Sequence, residues 1–140
     1  MKYAVCVLIV NNDAERLSVS RRNDTTRWGY PGGKVDKGES NLHAIIREVR
    51  EETGITLDST QLIPLYSGMC FGKDGNHFWT TTYLYGETIN DISSYTPEEG
   101  IEMKFVDPKD MTNSRICPFA DYNMQVEITL EHFVDFWEWK

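Results

Sequence analysis

Glu48, Glu51 and Glu52 carry the strongest chemical signal in the chain. Spacings of three and four residues put their carboxylates on one flank of a helix, where like charges repel one another. A hard divalent cation wants such an oxygen cluster, whereas a solvated face more comfortably alternates its signs. Taken alone, the trio also fits plain solvation. The residues before it separate the two readings: Gly32-Gly33 lets backbone approach a ligand closely, and Glu39 ends a polar loop beside a helix N-terminus, where an anion is favoured. Arg47 stands four residues before Glu51 and can hold it by a charge-assisted pair without occupying a cation site.

Together Gly33, Glu39, Arg47-Glu48-Val49, Glu51-Glu52 and Gly54-Ile55 fill the pattern G-x5-E-x7-R-E-U-x-E-E-x-G-U, where U is aliphatic. Average residue frequencies make so long a match by chance remote. The pattern resembles the Nudix box, in register throughout. That resemblance implies an α/β/α sandwich with a mixed β-sheet and a C-terminal helix. It also implies a hydrolase that cleaves the P–O–P bond of a nucleoside diphosphate linked to another group. On the same ground Glu48, Glu51, Glu52 and the Gly33 carbonyl would hold Mg²⁺, with Mn²⁺ able to substitute and Gly32 the other choice of carbonyl. Arg47 would assist them. A further carboxylate outside the box would act as base or extra ligand; Glu98, Glu99 and Glu102 all qualify, and Glu99 is carried forward.

The run Trp28-Gly29-Tyr30-Pro31-Gly32-Gly33 and the compact size resemble the small members that convert nucleoside triphosphates to monophosphate and pyrophosphate. ADP-ribose, dinucleoside polyphosphates and the RNA cap are the rival substrates. A nucleotide-binding module without catalysis is the rival class, disfavoured because every box carboxylate is present. Substrate contacts are expected from Arg22, Trp28, Gly32, Glu39 and Asp121. Each also has a plainer use: Asp121 reads a base edge or caps a helix, and Arg21, Arg22 and Arg27 clamp phosphates or face solvent. Trp28, Phe71, Phe78 and Trp79 stack on a base or fill the core.

The elements that must position these residues are legible from periodicity. Tyr3 to Val10 and Arg16 to Arg21 read as strands of an opening hairpin around a polar turn, and Pro31-Gly32-Gly33 breaks the chain. Ser40 is a plausible N-cap and Gly54 a stop for a helix whose apolar stripe is Leu42, Ile45, Ile46 and Val49, with His43 and Arg50 on the flank away from the carboxylates. Leu62 to Phe71 and His77 to Tyr85 read as paired strands, Glu102 to Val106 as another, ended by Asp107-Pro108. A closing helix from about Phe119 to Trp139 packs through Met124, Ile128, Phe133, Phe136 and Trp137; its aromatic end can instead serve a homodimer.

The 140 residues suffice for one domain, residues 1–140, with a core of its own. A net charge of −8 disfavours a groove for long nucleic acid and leaves a small nucleotide as the expected partner, provided cations neutralise the site. The longest apolar run, Ala4 to Val10, is too short to span a bilayer and lacks a cleavage site, so a cytoplasmic protein is expected. Cys6, Cys70 and Cys117 are odd in number and widely spaced, which reads as reduced thiols.

Overall fold

The computed structural model describes residues 1–21, 28–71 and 75–139. Strands β1 (Tyr3–Leu8), β5 (His77–Tyr85) and β4 (Leu62–Phe71) form a sheet completed by the short β3 (Gly32–Lys34), in the order β3-β1-β5-β4. β1 runs parallel to β5 and antiparallel to β3, while β4 and β5 are antiparallel, so the sheet is mixed. A second pair joins β2 (Arg16–Arg21) to β6 (Ile101–Val106), antiparallel.

β1 shows why the sheet is covered on both sides. Val5 and Val7 point into a cluster with Ala44, Ile45 and Val49 of helix α1 (Asn41–Thr53). Cys6 and Leu8, facing the other way, join Tyr122 and Val126 of helix α3 (Ala120–Trp139). A strand buried on both faces must be apolar at every position, which explains its unbroken run. The result is an α/β/α sandwich with a C-terminal helix. No helix among the described residues is long and apolar enough to cross a membrane.

Several elements depart from the sequence reading. The expected hairpin closes only at its turn, where Val10 bridges Arg16 and the Leu17 N–H donates to the Ile9 carbonyl at 2.9 Å; β1 and β2 then enter different sheets. Gly32–Lys34 is a strand and not a break, because it pairs with Ala4 to Cys6. Asp107 does end β6, and its side chain caps a short helix α2 (Pro108–Met111). Ser40 caps α1 as expected, its hydroxyl accepting the His43 N–H, and Gly54 closes it at φ 79°. Leu42, however, lies at the first turn and stays 39% exposed, and Ala44 takes its place in the core. In α3 the buried stripe is Tyr122, Val126 and, partly, Leu130. Met124 and Ile128, about 200° away on the helical wheel, are exposed. The side chains of Phe136 and Trp137 lie outside the described residues.

α3 is anchored by charge as well as by packing. Arg16 makes a two-pronged pair with Glu127 at 3.0 and 2.8 Å, and the Tyr30 hydroxyl donates to the same carboxylate at 2.5 Å. The Arg16 side chain is 9% exposed and that of Glu127 15%. Losing one partner of such a pair leaves a buried charge uncompensated, so Glu127→Ala should destabilise the fold by about 3 kcal/mol in urea unfolding. A change below about 0.5 kcal/mol, the ordinary range for a surface site, would show that the pair does not anchor the helix.

Candidate active site

Pairing of β3 with β1 lays two glycines against the acidic flank of α1. A Cβ built at Gly33 would fall 2.5 Å from Glu48 Cδ, so only glycine leaves room for that carboxylate. The Gly32 N–H donates to Glu52 Oε1 at 2.7 Å. Glu52 is consequently buried, at 4% exposure, and the Glu48 side chain is only 14% exposed. The open, solvated flank expected from the sequence holds for Glu51 alone, at 49%. Glu48 and Glu52 both line a cavity of about 530 Å³, together with Gly32, Gly33, Lys34 and Trp28.

Arg47 organises the charges around this cleft. Its Nε and Nη2 grip both oxygens of Glu39 at 2.7 and 2.8 Å, its Nη1 reaches Glu48 at 3.0 Å and Glu51 at 3.3 Å, and Nη2 also donates to the Lys34 carbonyl at 3.2 Å. The pair anticipated with Glu51 is thus longer than those with Glu39 and Glu48, and only the Asp36 contact, at 3.4 Å, is longer still. Glu39 receives the Asp36 N–H and the His43 ring as well, so its oxygens are taken up inside the protein and it does not line the cavity. His43 therefore sits with Arg47 and not on a separate flank. Hydrogen bonds from Arg47, then from the Asp36 N–H, hold the Glu39 carboxyl down at about 2; the same contacts raise the Arg47 pKa further.

Among the described residues no three His, Cys, Asp or Glu side chains already converge on one point as metal ligands. Glu48 is held by Arg47 and Glu52 by the Gly32 amide. The donor set still suits a hard divalent ion, since Asp36, Glu48, Glu52 and a glycine backbone border one cavity and, among the described residues, no thiol or imidazole does.

The remaining sequence candidates separate. Trp28 lines the cleft, and Lys104 holds its ammonium 4.3 Å from the Trp28 ring centroid. Glu102 is opposite Ser20, a cleft-lining residue, in the β2–β6 register, but it is exposed and lines none of the cavities itself. Glu98 and Glu99 are exposed and line none of the cavities described here. Asp121, exposed in the first turn of α3, borders a third cavity with Phe71 and Gln125, which shares Pro118 and Phe119 with the cleft but not Glu48 or Glu52. Arg22 and Arg27 lie outside the described residues. An apolar pocket of about 260 Å³ adjoins the cleft, sharing Tyr30, Gly32, Gly33, Lys34 and Phe119 and adding Phe78, Tyr122 and Asn123. Of these aromatics only Phe78 had been singled out; Tyr30, beside Pro31-Gly32-Gly33, was the one with a local signal.

The depressed Glu39 carboxyl has a pH signature. With a folded value near 2 against an ordinary 4.5, the folded protein binds fewer protons between those limits, so the Glu39 contribution is complete above about 4.5 and lost as pH falls toward 2. The urea-midpoint advantage of wild type over Glu39→Gln should shrink across that window and be constant above it. An advantage that does not vary with pH would mean that the Arg47 pair contributes nothing to folding.

The NUDIX domain family matches the chain over residues 1–125. An uncharacterized Nudix hydrolase, YvcI, from Bacillus subtilis is 32% identical over 116 residues, 81% of this chain and 70% of that protein. A second Bacillus subtilis protein, provisionally named an 8-oxo-dGTP diphosphatase, is 33% identical over 84 residues, 60% of this chain but only 56% of its own length. The fold is shared with a MutT protein from Methanosarcina mazei, at TM-score 0.68 and 27% identity, covering 90% of this chain and 92% of that one. With the family matched from β1 into α3, over a site built from its box residues, the chain belongs to the Nudix hydrolases.

Proposed function

We propose that the chain is a Mg²⁺-dependent nucleotide pyrophosphohydrolase that converts a nucleoside triphosphate to the monophosphate and pyrophosphate. The observation that carries this reading is the adjacency of two spaces. A cleft bordered by Glu48 and Glu52 shares Gly32, Gly33 and Lys34 with a neighbouring apolar, aromatic pocket. The first suits metal-bound phosphates and the second a flat base, which aromatic side chains hold by stacking.

Glu48, Glu52 and the neighbouring Glu51 would hold the metal with the Gly33 carbonyl; Mn²⁺ can substitute. The bound ion supplies Lewis acidity and neutralises phosphate charge. Arg47 keeps the carboxylates in place from behind, and Lys34, exposed at the junction, offers its ammonium to the phosphate chain. A water oxygen forms the new bond to the inner phosphorus, the bridging P–O bond breaks, and its electron pair leaves with pyrophosphate. Glu102 takes the water proton in this scheme, in preference to Glu99, because it stands opposite the cleft-lining Ser20 across the β2–β6 pair.

Glu48→Gln and Glu52→Gln should each lower kcat by at least about a hundredfold while leaving a cooperative urea transition, since a glutamine oxygen can still accept the Gly32 N–H but carries no charge for the metal. Near wild-type turnover of either variant at saturating Mg²⁺ would remove the metal assignment, and loss of folding would make the carboxylates structural. Chelation should abolish activity and added Mg²⁺ or Mn²⁺ restore it.

The reaction itself is tested by a panel of nucleoside triphosphates, ADP-ribose, dinucleoside polyphosphates and capped RNA, read by product identity. Monophosphate plus pyrophosphate from a triphosphate is the expected outcome. Release of orthophosphate with no pyrophosphate would refute attack at the inner phosphorus, and preference for another class would replace the substrate.

A further inference from the structure

β4 forms one edge of the four-stranded sheet, and the direction of its backbone groups follows from its neighbours. The Trp79 N–H donates to the Lys2 carbonyl at 2.9 Å, so Trp79 turns its polar groups toward β1. Alternation along β5 then turns Phe78, Thr80 and Thr82 toward β4, where their antiparallel partners are Cys70, Gly68 and Tyr66. Those three spend their groups inside the sheet, which leaves the N–H and C=O of Ser67, Met69 and Phe71 pointing outward. Among the described residues no backbone bond from outside the sheet reaches them. Upstream the edge is already blunted by Pro64, which has no N–H, and by an irregularity between Pro64 and Tyr66.

The open stretch lacks the usual protection. An exposed edge in a soluble protein is ordinarily guarded by charge, lysine above all, yet Leu62 to Phe71 contains no charged residue in a chain of net charge −8. Its outward end is also apolar. Phe71 is 67% exposed, and Met69 stands in a row with Trp79 and Tyr3, which are 39% and 50% exposed.

Symmetry selects the occupant. Ser67, Met69 and Phe71 are evenly spaced about Met69, so an identical strand laid antiparallel, with the two Met69 residues opposed, presents an outward residue to each outward residue. Every such pair exchanges two N–H···O bonds. Phe71 then lies opposite Ser67 of the other copy, and Gly68 opposite Cys70, so large side chains meet small ones across the seam. Two chains of charge −8 repel each other, and the repulsion is least where neither brings a charge.

We propose that two copies of this chain associate through β4, antiparallel about a two-fold axis at Met69, joining their sheets into one. A cavity of about 360 Å³, bordered by Tyr66, Met69, Phe71 and Gln125, adjoins this edge and shares Pro118 and Phe119 with the cleft. The second copy therefore stands beside a space next to the candidate active site.

Sedimentation equilibrium from about 1 to 100 μM reads the association directly, because a dimer population rises with concentration. Twice the single-chain mass of 16.2 kDa is expected at the upper end. A single-chain mass throughout would overturn the proposal and leave the edge to some other extended segment. Met69→Pro removes an N–H that the sheet does not use, so the variant should still unfold cooperatively in urea while its dimer dissociation constant rises at least about tenfold. Phe71→Lys, at a side chain already mostly in solvent, puts like charges on the shared edge and gives the same reading if the proline variant fails to fold. A dimer undiminished in a folded variant would move the association to another surface and overturn the pairing. Hydrogen exchange locates the contact: the Ser67, Met69 and Phe71 amides should exchange at least about tenfold more slowly in the dimer than on dilution. Equal rates at both concentrations would equally refute it.

Discussion

The site depends on one crowded contact, the hold of Arg47 on its carboxylates. A guanidinium presents donors in a fixed fork, and Arg47 uses that fork to tie the loop residue Glu39 to the helix that carries both. The remaining donor reaches Glu48 and Glu51, so one cation partly offsets a cluster that would otherwise repel itself. Lysine offers a point charge and cannot span these partners. Since Arg47 also bonds the Lys34 carbonyl, β3 and α1 are locked together, and the glycine backbone stays against Glu48 and Glu52.

A second tie works from the opposite layer. Tyr30 borders both the cleft and the apolar pocket, and its hydroxyl ends on Glu127, which is itself paired to Arg16 of β2. The wall between the two spaces is thereby referred to the C-terminal helix. Mutations in α3 can reach the substrate site through this wall without touching the carboxylates.

The sequence made the longer strands, α1 and its caps legible, because alternation, turn residues and the Ser40 and Gly54 caps are local signals. β3 was not, since Gly32-Gly33-Lys34 has too little side chain to show a period and becomes a strand only by pairing with β1. The α3 register was misjudged for a related reason. Met124 and Ile128 look apolar, yet the buried face belongs to Tyr122, Asn123 and Val126, with the Tyr122 hydroxyl and the Asn123 amide nitrogen finding partners inside. Within the site, the Arg47–Glu51 spacing was visible as a helix neighbour pair. The stronger Arg47–Glu39 grip spans a loop and follows from no helical rule, and the pairing of Glu102 with Ser20 required the strand register.

The hydrogen bonds that run from the Cys6 thiol through the Thr82 and Tyr122 hydroxyls to the Thr80 carbonyl form a relay that also bears on chemical durability. Two thiols, Cys6 and Cys70, border a pocket open to small molecules, a position that would ordinarily invite oxidation or alkylation. Burial pushes Cys6 up to about 12 and Cys70 to about 11, and the relay requires Cys6 to keep its hydrogen as the first donor. Attack by electrophiles proceeds through the thiolate, so both sulfurs are chemically quiet at neutral pH.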